Sequence, residues 1–311
     1  SMAVSNYNPI ANYLDGIGEW DGSDHVSSLF NRLPGVSDEM KAYLRIWLRS
    51  MVAHWLQMDT LHGNECVPVL IGEQGCGKST FCNRLLPPEL RSYFFDHISF
   101  SNRFDLEMAL THALLVNIDE FNVMTPSQMA KLKQNLSKVK VNSRPIFGRT
   151  TEDRPRYSSF IATTNERHPL CDPTGSRRFL CIEIPSGEFI DNESPIDYAQ
   201  LYAQILHELS LLGTRYWFTR DEENRIQELN SAFMKTDDID MMIASSFDLE
   251  NSESQGQWMS GNEVVNVLCR NYSQLKADSG LKLRLGKALR YLGCKAKHTK
   301  RGQEYLLTTR K

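Results

Sequence analysis

The chain has no cysteine pair in C-x-x-C spacing, no long apolar run and no large excess of either charge. Its seven cysteines, at 66, 76, 82, 171, 181, 269 and 294, are odd in number and scattered over 311 residues. This argues against a disulfide framework or a thiolate zinc site and fits a reducing, cytoplasmic setting. None of the eight histidines stands at ligand spacing, no Ser/His/Asp set stands out, and there is no internal repeat. No apolar stretch approaches the length of a membrane span, and mean hydropathy is −0.41, so no membrane partner is expected. The start, SMAVSNYNPIANYL, lacks a charged segment ahead of an apolar block, so no secretory signal is read. Ser1 ahead of Met2 reads as a tag remnant. What is present is 41% hydrophobic and 10% aromatic residues, enough for the core of one large domain or two modest ones.

The net charge of −3 hides an asymmetry. Trp258–Lys311 holds twelve Lys+Arg and three Asp+Glu, hence +9, which leaves −12 for the remainder. A basic tail on an acidic body points to a polyanionic partner.

Residues 67–80 read VPVLIGEQGCGKST. An apolar run of strand character (Val67, Val69, Leu70, Ile71) leads into Gly72–Ser79, which fits G-x-x-x-x-G-K-[ST], the Walker A pattern. A helix can follow from Thr80 to Leu86, stopped by Pro87 and Pro88. Such a loop cradles phosphates with backbone N–H groups, helped by the dipole of the helix behind it. The expected nucleotide contacts are Gly72, Glu73, Gln74, Gly75, Cys76, Gly77, Lys78, Ser79 and Thr80. Lys78 would reach the β- and γ-phosphates, and the Ser79 hydroxyl would ligate Mg²⁺. Cys76 fills a variable position of the loop.

The strand ALLVNIDEF (113–121) ends in Asp119-Glu120, 119 − 78 = 41 residues after Lys78. This is a Walker B arrangement, in which Asp119 would hold Mg²⁺ through water and Glu120 would polarise the attacking water. Carboxylates at a strand's C-terminal end suit ligands of open α/β sheets. Asn165 ends the next apolar strand, SSFIATT (158–164), and should sit beside Asp119, its amide able to touch γ-phosphate and water. Arg177 and Arg178 in GSRRF (175–179) are candidates for an arginine that meets charge on a transferring phosphoryl group, one serving a neighbouring subunit and the other structural. A solvated basic turn is the plainer alternative.

Strands alternating with helices imply an α/β fold with a mostly parallel sheet flanked by helices. Apolar spacing over 40–58 predicts a core-facing helix in a helical N-terminal segment, 1–62. Thr125-Pro126 opens another helix. The core is expected over 63–244, with the polar stretch 245–257 as a linker. The block 258–311, with helices near 260–270 and 281–292 and strands at 294–299 and 303–309, suggests a small winged-helix domain. Two basic surfaces are candidates for nucleic acid. One is a hairpin in KVKVNSRPIF (138–147), turning at Asn142-Ser143, with Lys138, Lys140 and Arg144 among eight cations between Lys131 and Arg156. The other is the C-terminal wing, with Lys295, Lys297, Lys300 and Arg301. A merely solvated charged surface is the alternative for the hairpin; packing on the acidic body or on a partner protein is the alternative for the wing.

IGEQGCGKST, LLVNIDEF, SFIATTN and DPTGSRRF, in this order, resemble the virulence-associated E (VapE-like) family, itself similar to superfamily-three helicases of the AAA+ class. The segment NPIANYLDGIGEWDG (8–22) is also similar to that family's leading segment. The resemblance covers roughly residues 7–190; the C-terminal block resembles the winged-helix appendage of such proteins in Bacteroides-like bacteria. It implies an AAA+-like P-loop core, ATP with Mg²⁺, DNA as partner, a homo-oligomeric and often hexameric ring, and a bacterial or phage origin in mobile-element replication. Lys78, Ser79, Asp119, Glu120 and Asn165 carry over; the finger stays open between Arg177 and Arg178, with Arg178 favoured. Relatives often carry a primase-polymerase domain upstream, so the chain is expected to be a fragment or to take priming from a partner. The resulting expectation is a DNA-dependent ATPase, a replicative helicase or primase-helicase component. The rivals are a nucleotide-switched DNA-binding initiator or defence scaffold that unwinds little, and a small-molecule kinase, against which ATTN, the paired arginines and the basic tail argue.

Overall fold

The computed structural model describes residues 8–58, 61–100, 102–143, 150–172, 175–235, 238–249, 256–272, 275–299 and 302–310. Helices α1 (Pro9–Leu14), α2 (His25–Phe30) and α3 (Asp38–Trp55) each begin at a side chain that accepts backbone N–H groups, respectively Asn8, Asp24 and Ser37. These caps satisfy donors that the first helical turn leaves without partners. The periodic apolar residues of α3, including Leu44, Trp47, Leu48 and Met51, are buried. The helix stops at Trp55, short of Met58.

The first compact unit spans residues 1–234. Past α3 it runs β1 (Val67–Ile71), α4 (Lys78–Arg84), β2 (Phe94–Phe95), α5 (Arg103–His112), β3 (Leu115–Ile118), α6 (Pro126–Leu136), β4 (Lys140–Ser143), β5 (Glu152–Pro155), β6 (Ser159–Thr164), β7 (Phe179–Glu183), α7 (Tyr198–Ser210) and α8 (Arg220–Leu229). Five of these strands form one parallel sheet in the order β2-β3-β6-β1-β7. Every residue of β1, β3 and β6 is buried, as a parallel sheet covered on both faces requires. Successive residues alternate between two apolar layers. Leu70, Leu115, Ile161 and Leu180 pack with the α3 and α7 side; Val69, Val116, Phe160 and Cys181 pack with Leu110 of α5 and Leu132 of α6.

The second compact unit begins at Lys235. It contains α9 (Asp238–Ser246), β8 (Phe247–Asp248), β9 (Gln257–Ser260), α10 (Gly261–Asn271), α11 (Ser279–Tyr291), β10 (Ala296–Thr299) and β11 (Gly302–Thr309). β11 pairs antiparallel with β8, β9 and β10. Ile239, Ile243 and Phe247 share a core with Val264, Leu268, Leu285, Leu289 and Leu307. The expected linker over 245–257 is therefore corrected at its start. Phe247 is buried and β8 is a paired strand, so the division falls at residue 234 rather than after 244. Residues 250–255 lie outside the described ones.

The expected hairpin also shifts. β4 and β5 pair with Asn142 opposite Asp153, and the Asn142 amide donates to Asp153 Oδ1 at 2.7 Å. The Asn-Ser pair is thus inside the strand, held by that cross-strand bond, and does not form the turn.

Candidate functional site

Because the sheet is parallel, whatever follows each strand gathers at one edge. The Gly72–Ser79 loop follows β1, Asp119-Glu120 follows β3 and Asn165 follows β6, and β6 lies between β1 and β3. Register is tight: Ile71 pairs with Thr164, and Ile118 with Ala162. The three sequence signals converge.

Within the loop, Gly75 and Gly77 have φ of +86° and +95°, conformations that a side chain resists. At Gly77 an added Cβ would also lie 2.5 Å from Asn192 Nδ2. Lys78 is 7% exposed. Its ammonium donates to the carbonyls of Gly72 (2.8 Å) and Glu73 (2.7 Å) and to Asn165 Oδ1 (3.0 Å), and stands 3.6 Å from the buried Cys76 sulfur. Two of the ammonium's bonds thus turn into the concavity of the loop and the third reaches across to the end of β6. Glu73, Gln74, Gly75, Ser79 and Thr80 are exposed.

Asp119 and Glu120 are exposed. Asp119 Oδ1 accepts the Thr163 hydroxyl and the Glu120 N–H, so its other oxygen remains for a further partner. Glu120 has φ +50°, ψ +46°, a left-handed conformation that for a non-glycine residue is observed mainly where the surroundings over-determine it. A short 3₁₀ turn, Phe121–Val123, follows. Phe121 is buried against Phe179, ring centroids 5.0 Å apart.

Two cavities flank this edge. One of about 700 Å³ is lined by Val36, Met40, Ile182, Pro185 and Phe233 with Glu183, and the Ser186 hydroxyl at its side donates to Glu73 Oε1. The other, about 380 Å³, adjoins Asp119 and Glu120 with Asp96, His97, Asn117 and Gln128.

Arg177 and Arg178 are elsewhere. They occupy the turn Ser176–Arg178 that precedes β7, at the opposite edge from the loop, a strand length of roughly 17 Å away at 3.3 Å per residue. Arg177 Nη1 is 3.0 Å from Glu223 Oε2, and Arg178 Nε is 4.0 Å from Glu65 Oε2.

The basic hairpin is less free than its composition implies. Arg156 is fully buried and donates to the carbonyls of Asn135, Leu136, Lys138, Ser158 and Asn64 at 2.7–3.1 Å. Burial pushes its pKa down. Lys133 pairs with Asp172, and Lys131 donates to Phe100 O. Lys138 and Lys140 are exposed, and Lys138 bonds Asn135 Oδ1. Arg144 lies outside the described residues, as do Lys300 and Arg301. Lys295 and Lys297 are exposed, but Lys297 pairs with Glu304 at 3.3 Å and covers the Trp258 ring at 4.1 Å.

Sequence reasoning missed three supports. Thr163 holds Asp119. Thr164 Oγ1 donates to Asn122 Oδ1 at 2.7 Å. Asn192 Nδ2 donates to Gly77 O at 2.9 Å. The paired threonines of ATTN carried a signal for the first two; Asn192, 115 residues from Gly77, carried none.

The fold and this edge define a parallel α/β protein with polar groups gathered at adjacent strand ends. The model of the Virulence-associated protein E-like domain matches residues 14–235, and the chain belongs to that family. A search of curated proteins returns no match. Among solved structures, an A-form apo structure of the NrS-1 C-terminal region (305–718) is similar at TM-score 0.53 and 13% identity, over 95% of this chain and 78% of that one. A second apo structure of that region is similar at TM-score 0.50 and 12% identity, over 96% and 78%. Among the described residues no helix is long and apolar enough to cross a membrane.

Proposed function

We propose that the chain is a Mg²⁺-dependent, ATP-hydrolysing, DNA-dependent motor, a replicative helicase or primase-helicase component of a phage or mobile element. The observation that carries the reading is the Lys78 ammonium, buried in a glycine loop and bonded to Asn165 at the same sheet edge as Asp119-Glu120. On ATP binding, Lys78 exchanges the Gly72 and Glu73 carbonyls for phosphate oxygens. The loop N–H groups and the start of α4 take the rest of the phosphate chain. The 700 Å³ cavity is of nucleoside size and takes the base and ribose.

The residues fit a magnesium ion that shares substrate phosphates. Ser79 is exposed on the first turn of α4, and Asp119 keeps one oxygen outside its hydrogen bonds. Mg²⁺ bound in this way is held by one or two protein oxygens plus phosphates and water. Held there by Ser79 and Asp119, the ion would supply charge neutralisation for the transferring phosphoryl group. Glu120 takes the proton of the attacking water, and Asn165 orients the γ-phosphate. An arginine supplied by the next subunit completes the site, since Arg177 and Arg178 stand at the opposite edge. The assembly is a cytoplasmic ring, hexameric in the limiting case, with DNA on the β4–β5 hairpin and priming supplied by a partner or an adjoining domain.

ATP hydrolysis measured with and without single-stranded DNA, together with strand displacement, tests the reading. Lys78→Ala should abolish turnover, and Glu120→Gln should bind ATP yet hydrolyse it very slowly. Near-normal turnover in either variant, with the fold confirmed by circular dichroism, removes the site. Turnover without strand displacement favours the initiator or scaffold.

A further inference from the structure

β7 is the last strand of the parallel sheet and pairs only with β1. Ile184 donates to Ile71 O at 2.7 Å, so the even-numbered residues of this strand turn their backbone groups toward β1. The odd-numbered residues turn theirs outward. At the start of the strand that outer side is closed, because Asn230 Nδ2 donates to Phe179 O at 2.8 Å. Further along it is open. Among the described residues nothing bonds the outer N–H or C=O of Cys181 or of Glu183.

Cys181 is only 4% exposed. Backbone groups so far from water are nearly always paired, and natural sheet edges are as a rule covered or blunted. This stretch of edge lines the cavity of about 700 Å³, with Met40, Ile182, Pro185 and Phe233 as its apolar neighbours. Ser186, also on the cavity, donates to Glu73 Oε1 and so ties it to the glycine loop. At the rim, Arg167 Nε is 2.9 Å from Glu183 Oε1, so the charges there match each other. The cavity is thus an apolar space with one unpaired backbone acceptor, Cys181 O, and two residues on an unpaired backbone donor, Glu183 N–H. Few polar groups on an apolar lining is the usual make-up of a small-molecule site.

We infer that the open edge of β7 reads the nucleobase through its backbone and selects adenine. The inference rests on the ATP-hydrolysing reading above and adds the groups that recognise the base. The Watson–Crick edge of adenine sets a donor, N6–H, beside an acceptor, N1. These meet Cys181 O and Glu183 N–H as a neighbouring strand would. Hypoxanthine and guanine reverse the pair, since their O6 accepts and their N1–H donates. Placed in the same way, they set acceptor against acceptor and donor against donor. A site whose buried polar groups are left unpaired discriminates strongly against such analogues. Recognition by backbone leaves no trace in side-chain identity, and FLCIEI (179–184) accordingly reads as an ordinary buried strand.

The test is binding of a series of triphosphates to the full chain with Mg²⁺, read by displacement of a ribose-labelled fluorescent ATP. 7-Deaza-ATP keeps N1 and N6 and should bind as ATP does. Purine riboside triphosphate lacks only the N6 amine and should bind about tenfold more weakly, and ITP about a hundredfold. Glu183→Pro removes the outer N–H at an edge position, where proline is tolerated. It should narrow the ratio of ATP to ITP affinity by about tenfold. Glu183→Ala keeps the N–H and should preserve that ratio. Circular dichroism verifies the fold of both variants; should Glu183→Pro not fold, the analogue series in the wild type decides alone. Equal affinities for ATP and ITP in the wild type, or an undiminished ratio in folded Glu183→Pro, overturn the inference and leave the ATPase reading standing. Failure of every triphosphate to bind overturns both.

Discussion

The Thr164 hydroxyl donates to Asn122 Oδ1 at 2.7 Å and in turn accepts the Glu166 N–H at 3.0 Å. This bond crosses from the end of β6 to the turn just beyond Glu120. With the Asp119–Glu120 contact on the other side, it brackets the left-handed Glu120 between two anchors. Glu120 is one of two non-glycine residues with positive φ among the described residues, the other being Gln57.

Thr164→Val should therefore lower kcat for ATP with little change in KM, because phosphate binding by the glycine loop is untouched. Thr164→Ser, which keeps the hydroxyl, should restore kcat. Loss of the bond should also lower stability by about 1 kcal/mol. Steady-state kinetics beside urea melts separate the effects; a KM change without a kcat change would show that the bracket does not position Glu120.

Arg178 is the better candidate for action in trans, since its Nε makes no hydrogen bond and only a 4.0 Å ion pair with Glu65, whereas Arg177 has a 3.0 Å partner in Glu223. Arg178→Ala should cost roughly 10³–10⁵ in turnover. Mixing it with Glu120→Gln protein should restore some activity at interfaces that join two intact halves. ATPase per chain that stays constant on dilution to a proven monomer would contradict this.

Arg156→Met should destabilise the first unit by roughly 3 kcal/mol or more, because five carbonyls lose their buried donor. Lys140→Met, at an exposed position, should cost less than about 0.5 kcal/mol. Equal midpoints in urea for the two variants would mean that Arg156 acts as surface charge after all.

Acid should weaken the first unit through Glu222. Hydrogen bonding from Arg215 draws its carboxyl down to about 2 from the usual 4.5. A carboxylate with a depressed native pKa stabilises fully above its unfolded value, and that contribution fades as pH falls from about 4.5 toward about 2. Asp24 moves the same way: burial pushes it up, but Gln204, Ser27 and Arg45 hydrogen bonds pull it further down. Melting temperature against pH should fall less steeply over this window in Arg215→Met than in the wild type. Parallel curves would remove the Glu222 contribution.

What was legible in the sequence was local. β1, the glycine loop and α4 are contiguous, and the apolar runs before Asp119 and Asn165 mark their own strands. Even the adjacency of Asp119 and Asn165 followed from strand-end logic. What was illegible depended on distant partners. Asn192 and Ser186 reach the loop from more than a hundred residues away, and no spacing announces them. Arg156 was counted as surface cation because charge counting is blind to burial. The boundary near 235 was misplaced because acidic residues around Ile239, Ile243 and Phe247 made a core-forming segment look like a tether.

The strap after β7 joins two ends of the first unit. Ile190 N and Asn192 Nδ2 bond the carbonyls of Cys76 and Gly77. A few residues on, the Arg32 guanidinium holds the carbonyls of Asp191, Ser194 and Pro195. The glycine loop is therefore braced against the end of α2 through a span of six residues, too short to absorb much slack. Mechanically, the helices ahead of the sheet are an abutment for the glycine loop, and a blow to Arg32 should be felt at Gly77.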